Sequence, residues 1–165
     1  MLRWLWLSLL VILLDQGTKY LAENQLQLYQ SVPVLSFFNF TLAYNTGAAF
    51  SFLADAGGWQ RWFFMGLAFA VSMGLIFWLR RLRANALWEA FAVALILGGA
   101  LGNVIDRLWH GYVIDFIDLY YQSWHWPAFN IADSAITVGA ALLILQSLLG
   151  QPAHKEEGKS KESSN

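Results

Sequence analysis

Four long apolar windows divide the chain, and between them lie stretches in which polar residues carry the pattern. A hydrocarbon layer of about 30 Å takes roughly 20 residues of helix to cross. The first window covers residues 4 to about 22 and is interrupted only by Asp15 and Lys19 in its second half. The second is uninterrupted over 62–79, the third covers about 84–105 with Glu89 near its start, and the fourth about 130–149 with Asp133 in its first turn. Each is long enough to span, so the pattern predicts an all-α integral membrane fold with four transmembrane helices. The first window also has the leading Arg3 and apolar run of a cleavable signal peptide. Asp15, Gln16 and Gly17 then stand where a small-x-small cleavage site belongs, and the segment continues into Tyr20 and Leu21, so it reads as a retained helix.

Two segments, 23–60 and 106–129, connect the spans on the other side from the 80–83 loop and are too short to fold as independent domains. In the first, Phe38, Phe40, Leu42 and Tyr44 alternate with Asn39, Thr41 and Asn45, the period of a half-buried strand. Asn45, Thr46 and Gly47 supply turn chemistry before Ala48, which predicts a small hairpin or cradle at the membrane surface, its aromatic face against lipid or protein. A short outer helical segment is expected beside it. Residues 1–150 are read as one membrane-embedded unit. The tail over 151–165 is polar, charged and without aromatics, and is expected to be disordered.

Composition strengthens the membrane reading: 58% of the 165 residues are hydrophobic and 13% charged, with a mean hydropathy of +0.46. A net charge of -1 leaves no broad basic face for nucleic acid, which is excluded as a partner. The absence of cysteine removes disulfides, thiol nucleophiles and thiolate metal sites together. Arg80, Arg81 and Arg83 sit between the second and third windows, and short loops rich in Arg and Lys stay cytoplasmic. With four spans, Arg3 and the tail carrying Lys155, Lys159 and Lys161 fall on the same side, so both termini are expected in the cytoplasm. All nine tryptophans lie at or near a predicted span end, where indoles favour the interface.

Ionisable groups within a membrane are costly, so each is a functional hypothesis. Asp15 lies about 16 Å along a helix from Trp4, Asp106 closes the third span, Asp133 opens the fourth, and Asp115 and Asp118 lie on the segment between. One outer level therefore holds most of the acids. Several also have purely structural readings. Asp15 and Lys19 form an i, i+4 pair; Asn103, Asp106 and Arg107 share a helix face that could end a span; Asn130 and Asp133 have the spacing of a helix cap and its third residue. Asp115 is harder to explain this way, because Tyr112, Val113, Ile114, Phe116 and Ile117 surround it with apolar groups that would raise its pKa. Gly98 and Gly102, at GxxxG spacing, predict close packing of the third helix against a neighbour. These features leave Asp106 as good a candidate for chemistry as Asp133.

Four motifs in order, DQGTK at 15–19, YNTGAAF at 44–50, GNVIDR at 102–107, and VIDFID through FNIADS at 113–134, resemble those of the lipoprotein signal peptidases, or signal peptidase II. The resemblance covers residues 1 to about 150. It implies a membrane aspartyl endopeptidase whose catalytic pair corresponds to Asp115 and Asp133. It also implies supporting roles for Asp15, Lys19, Asn45, Asn103, Arg107 and Asn130, and recasts Asp106 as support. The implied substrate is a lipidated prolipoprotein, cleaved on the N-terminal side of its diacylglyceryl-modified cysteine at the outer surface of a bacterial cytoplasmic (inner) membrane. Membrane lipid is the other expected partner, no cofactor or metal is expected, and the chain is expected to act as a monomer. Two close carboxyls share one proton; Asp133, at a helix N-terminus, is the expected resting carboxylate and Asp115 the proton carrier. A metalloprotease is disfavoured, since no HExxH occurs and His110, His125 and His154 lack ligand spacing. A proton channel or small transporter using Asp15, Lys19 and Asp106, and a purely structural membrane protein, are the rival readings.

Overall fold

A computed structural model describes residues 1–47 and 59–149. After a single 3-10 turn at Leu2–Trp4 come four helices long and apolar enough to cross a membrane: α1 (Leu5–Gln25), α2 (Trp59–Arg81), α3 (Leu87–Trp109) and α4 (Ile131–Leu149). The predicted windows hold to within a few residues. The largest differences are at α3, which starts at Leu87 because 82–86 form the turn from α2, and which runs on to Trp109, bringing Asp106 and Arg107 inside the helix. Most large apolar side chains on the helices face outward, as expected where the surrounding solvent is itself apolar. Eight of the nine tryptophans are exposed, at helix ends or on the segment between α3 and α4.

Helix α3 is central and packs against α1, α2 and α4. Association in lipid depends on close backbone approach and interhelical hydrogen bonds, and α3 has small residues where its neighbours cross. A side chain at Gly98 would meet the Ser8 carbonyl and Val11 of α1 at 2.8 Å, and one at Gly102 would meet the Asp15 carboxylate at 2.7 Å. Both glycines of the GxxxG pair therefore face α1. Ser8 adds a hydrogen bond from its hydroxyl to the Ala94 carbonyl at 2.8 Å. Gly99 faces α4, where a Cβ would collide with the Ala132 carbonyl oxygen, and Gly139 of α4 answers from the other side against Ala92 and Ile96. We expect Gly99→Val to force the α4 backbone away from α3 and lower stability by about 1–3 kcal/mol, seen as an earlier thermal unfolding transition in detergent. Gly17→Ala, where an added Cβ has nothing within 4 Å, should leave the transition unchanged or raise it slightly.

A four-stranded antiparallel sheet closes the end of the bundle opposite the α2–α3 turn, with spatial order β1 (Ser31–Leu35), β2 (Phe38–Asn45), β3 (Val113–Tyr121), β4 (Trp124–His125). Of the four β2 residues expected on one face, Phe40, Leu42 and Tyr44 join Ala22, Ile114 and Phe116 in an apolar cluster that seats the sheet on α1 and α4, while Phe38 packs on Phe40 outside it. The hairpin partner of β2 differs from expectation. It precedes β2, pairing Ser31 with Thr41 and Val32 with Phe40, whereas the Ala48 side of the predicted hairpin lies outside the described residues, as does the tail over 151–165. Among the described residues the outer segments are strands and turns, and no short outer helix occurs. Val113, Ile114 and Ile117 are β-branched, stiff at χ1 and suited to the pleated surface, and β3 gains its ladder from β2. A β-bulge between Phe40 and Ala43 sets Asn39 opposite Asp118 and Ala43 opposite Asp115, so four residues of β2 span three of β3 and re-aim its side chains.

Candidate active site

Asp115 lies on β3 and Asp133 in the first turn of α4, and both line one cavity of about 890 Å³ between the sheet and the bundle. Asn45, Asn103 and Arg107 are the other strongly polar side chains of its inner wall. Its remaining walls are largely apolar: Trp126, Pro127 and Phe129 on one side, and Ile136 and Val138 continuing down α4 on the other. A cavity of this kind, apolar with a few convergent polar groups, suits a ligand that is mostly hydrocarbon with one polar reacting centre.

The polar groups form one connected network. Asn130, fully buried, donates from Nδ2 to Asp115 Oδ1 at 2.7 Å and accepts the Asp133 amide on Oδ1 at 2.9 Å. The cap geometry expected of Asn130 and Asp133 is therefore real, and the same cap holds both acids. Asn103 donates from Nδ2 to Asp133 Oδ1 at 2.7 Å, while its Oδ1 receives Lys19 Nζ at 3.0 Å and Asn130 Nδ2 at 3.2 Å. An ammonium can only donate, so Lys19 decides which way the Asn103 amide points and thereby presents an N–H to Asp133. Asn45 Nδ2 donates to Asp115 Oδ2 at 3.1 Å. Arg107 donates to the Gly47 carbonyl at 2.7 Å and the Asn103 carbonyl at 3.3 Å, with its guanidinium over the Phe64 ring.

Beneath this layer Lys19 is 1% exposed and pairs with Asp15 and Asp106, each at 2.8 Å. Both oxygens of each acid have partners. Asp15 Oδ1 takes the Ala132 amide at 2.9 Å, an orphan donor of the α4 N-terminus. Asp106 takes Gln16 at 2.8 Å and the Ile114 amide at 3.1 Å. The triad thus ties α1 and α3 to the start of α4 and to β3. Asp15, Lys19 and Asp106 do not line the cavity, which sets them apart from Asp115 and Asp133.

All nine residues singled out from the sequence meet in this network. Gln16 was not singled out; its signal was the position beside Asp15 in DQGTK, where it bridges α1 to Asp106 and to the Gly102 carbonyl. Burial, and next the charge of Asp133, push the Asp115 carboxyl up to about 7, although hydrogen bonds from Asn45 and Asn130 favour its ionised form. Two carboxyls on one cavity, one of them raised toward neutral pH, are what general acid and general base work requires.

The sequence profile of the family described as Signal peptidase (SPase) II matches residues 7–149. Among curated proteins, the chain is similar to the lipoprotein signal peptidase of Alteromonas mediterranea, at 56% identity over 94% of this chain and 86% of the relative. It is likewise similar to that of Teredinibacter turnerae, at 58% identity over 93% and 92%. Among solved structures it superposes on a bacterial membrane enzyme with a TM-score of 0.82 at 33% identity, over 96% of this chain and 94% of the other. A second bacterial membrane enzyme matches with a TM-score of 0.78 at 32% identity, over 91% and 94%.

Proposed function

The chain belongs to the signal peptidase II family, and from that premise we propose that it is an aspartyl endopeptidase that cuts prolipoproteins on the N-terminal side of a diacylglyceryl-modified cysteine. The observation that carries this reading is the shared cavity: Asp115 and Asp133 open onto it, and its apolar wall continues along α4 from Ile136 to Val138. Acyl chains can stay at helix level while the peptide bond rises to the carboxyls, so that anchoring supplies proximity.

Asp133 is the resting carboxylate. It sits in the first turn of α4, where the helix dipole favours negative charge, and Asn103 donates to its Oδ1. Asp115 carries the proton. Asp133 removes a proton from water as the oxygen attacks the scissile carbonyl, and Asp115 delivers its proton to the carbonyl oxygen, giving a neutral tetrahedral diol. Collapse returns one hydroxyl proton to Asp115, passes the Asp133 proton to the departing amine, and breaks the C–N bond. The dyad ends as it began and one water has been consumed. Arg107 and Asn45 flank the cavity as donors for the substrate backbone. With Arg80, Arg81 and Arg83 in the cytoplasm, the termini are cytoplasmic and the site is at the outer membrane surface. The chain is taken to act as a monomer.

The test is cleavage of a diacylglyceryl-modified precursor by purified protein in detergent, beside the same precursor without its lipid. The lipid-modified precursor should be cut and the other left intact, and excess chelator should change nothing. Equal cutting of both would contradict the substrate assignment. The pH profile follows from the dyad: Asp115 is protonated below about 7, so kcat/KM should fall as pH rises through that value.

A further inference from the structure

Asp118 faces away from the dyad and is spent on a different task. It is 5% exposed on β3, and three side chains from the two neighbouring strands converge on it. Asn39 and Thr41 of β2 donate to Oδ2 at 3.2 and 3.0 Å, and His125 Nδ1 of β4 lies 2.9 Å from Oδ1. Burial pushes the Asp118 carboxyl up, but the hydrogen bonds from His125, Asn39 and Thr41 outweigh it and hold Asp118 below the ordinary carboxylate range. An ionised carboxylate only accepts, so His125 Nδ1 carries the proton and donates it. The Tyr120 ring stacks on the imidazole at 5.3 Å.

Strand β4 is two residues long, pairing His125 with Tyr120 and Trp124 with Tyr121, and the turn between the strands places Gln122 at a φ of 55°, a left-handed conformation that a side chain adopts at a cost. A hairpin this short has marginal stability of its own. Directly after His125 come Trp126, Pro127, Ala128 and Phe129, which form one wall of the cavity that holds Asp115 and Asp133. The Trp126 amide bonds to the Leu119 carbonyl at 2.8 Å, and Phe129 exchanges backbone bonds with Ile117. Phe129 is therefore anchored at one end of the wall by the sheet, and at the other end the Asp118–His125 contact reinforces the Trp126 backbone bond.

We propose that Asp118 and His125 are positioning residues that clamp the Trp126–Phe129 wall to the sheet and thereby set how tightly the precursor is bound. The proposal rests on the cavity being the precursor's site. Because neither residue lines the cavity, the clamp acts through the wall and bears on binding, with the chemical step at Asp115 and Asp133 left intact.

The test pairs kinetics with amide hydrogen exchange in the full chain. His125→Ala should raise KM for the lipid-modified precursor about tenfold with kcat within about twofold, and should speed exchange of the Trp126 amide at least tenfold while the Phe129 amide is unchanged. His125→Asn should restore both toward the parent, since its amide nitrogen, like Nδ1, is bonded to Cγ and can donate to Asp118 from nearly the same place. An unchanged KM, an unchanged Trp126 exchange rate, or a loss confined to kcat would overturn the clamp. If the parent fails to cleave the precursor, the functional reading falls, and the exchange rates alone then decide whether the contact holds the wall.

Discussion

Asp115→Asn and Asp133→Asn, made separately, should each lower turnover of a lipid-modified precursor by about 10⁴-fold or more. In the proposed mechanism each substitution removes one of the two groups that exchange protons with the water, the carbonyl oxygen and the amine. General acid or base assistance contributes roughly 10²–10⁴ per group, and groups that act as one unit fail together. The double variant should therefore be little worse than either single one. The loss should not come from unfolding. Asp115 is buried among apolar neighbours and its carboxyl is pushed up to about 7 from 3.8, so the folded state binds its proton more tightly than the unfolded chain. Stability from such a group falls as pH rises from about 3.8 through about 7, by at most about 4 kcal/mol. Asp115→Asn removes that penalty, so at pH 8 the inactive variant should melt above the parent, with a smaller gap at pH 5. An inactive variant that also melts lower at pH 8 would contradict this assignment of the Asp115 proton.

Lys19→Met should give the largest loss of stability. Lys19 is ion-paired with both Asp15 and Asp106 at 2.8 Å each, with almost no access to solvent. Removing one member of a buried ionic group leaves the others uncompensated, at about 3–5 kcal/mol. For a chain of this size the melting temperature should drop by on the order of 10 °C. Activity should fall further than stability explains, because Asn103 loses the contact that orients its amide toward Asp133. Replacing Asp15 and Asp106 with Asn in the Lys19→Met background should recover part of the melting temperature, since the unpaired charges are then gone, but little of the turnover. A shift of under 2 °C for Lys19→Met alone would contradict the role assigned to the triad.

The helices were legible because length and apolar continuity are local properties. So was β2, whose alternation survives its bulge. Strand β1 was not: all five of its residues are exposed, Pro33 suits an edge strand, and no period marks it. Strand β3 was hidden for another reason. Asp115 and Asp118 interrupt its apolar run, and the partners that satisfy them, Asn45, Asn39 and Thr41, are supplied by β2 from some seventy residues upstream. The same distance separates what could be read of the site from what could not. The residues were nameable from four motifs, and their common membrane level followed from helix rise. That Asn130 would cap α4 and hold Asp115 at once, or that Asp15 would take an α4 amide, depends on α1, α3 and α4 meeting at glycines 98, 99 and 102. Asp118 counted in the sequence only as one more acid at that level, and His125 only as a histidine without ligand spacing.

The proposed sharing of one proton between Asp115 and Asp133 is tested most directly by titrating the Asp115 carboxyl, labelled with carbon-13, in the parent and in Asp133→Asn. A midpoint near 7 is expected in the parent, because burial and the Asp133 charge both oppose ionisation, and a lower midpoint once that charge is removed. A parent midpoint in the ordinary carboxylate range near 4, unmoved by Asp133→Asn, would contradict it.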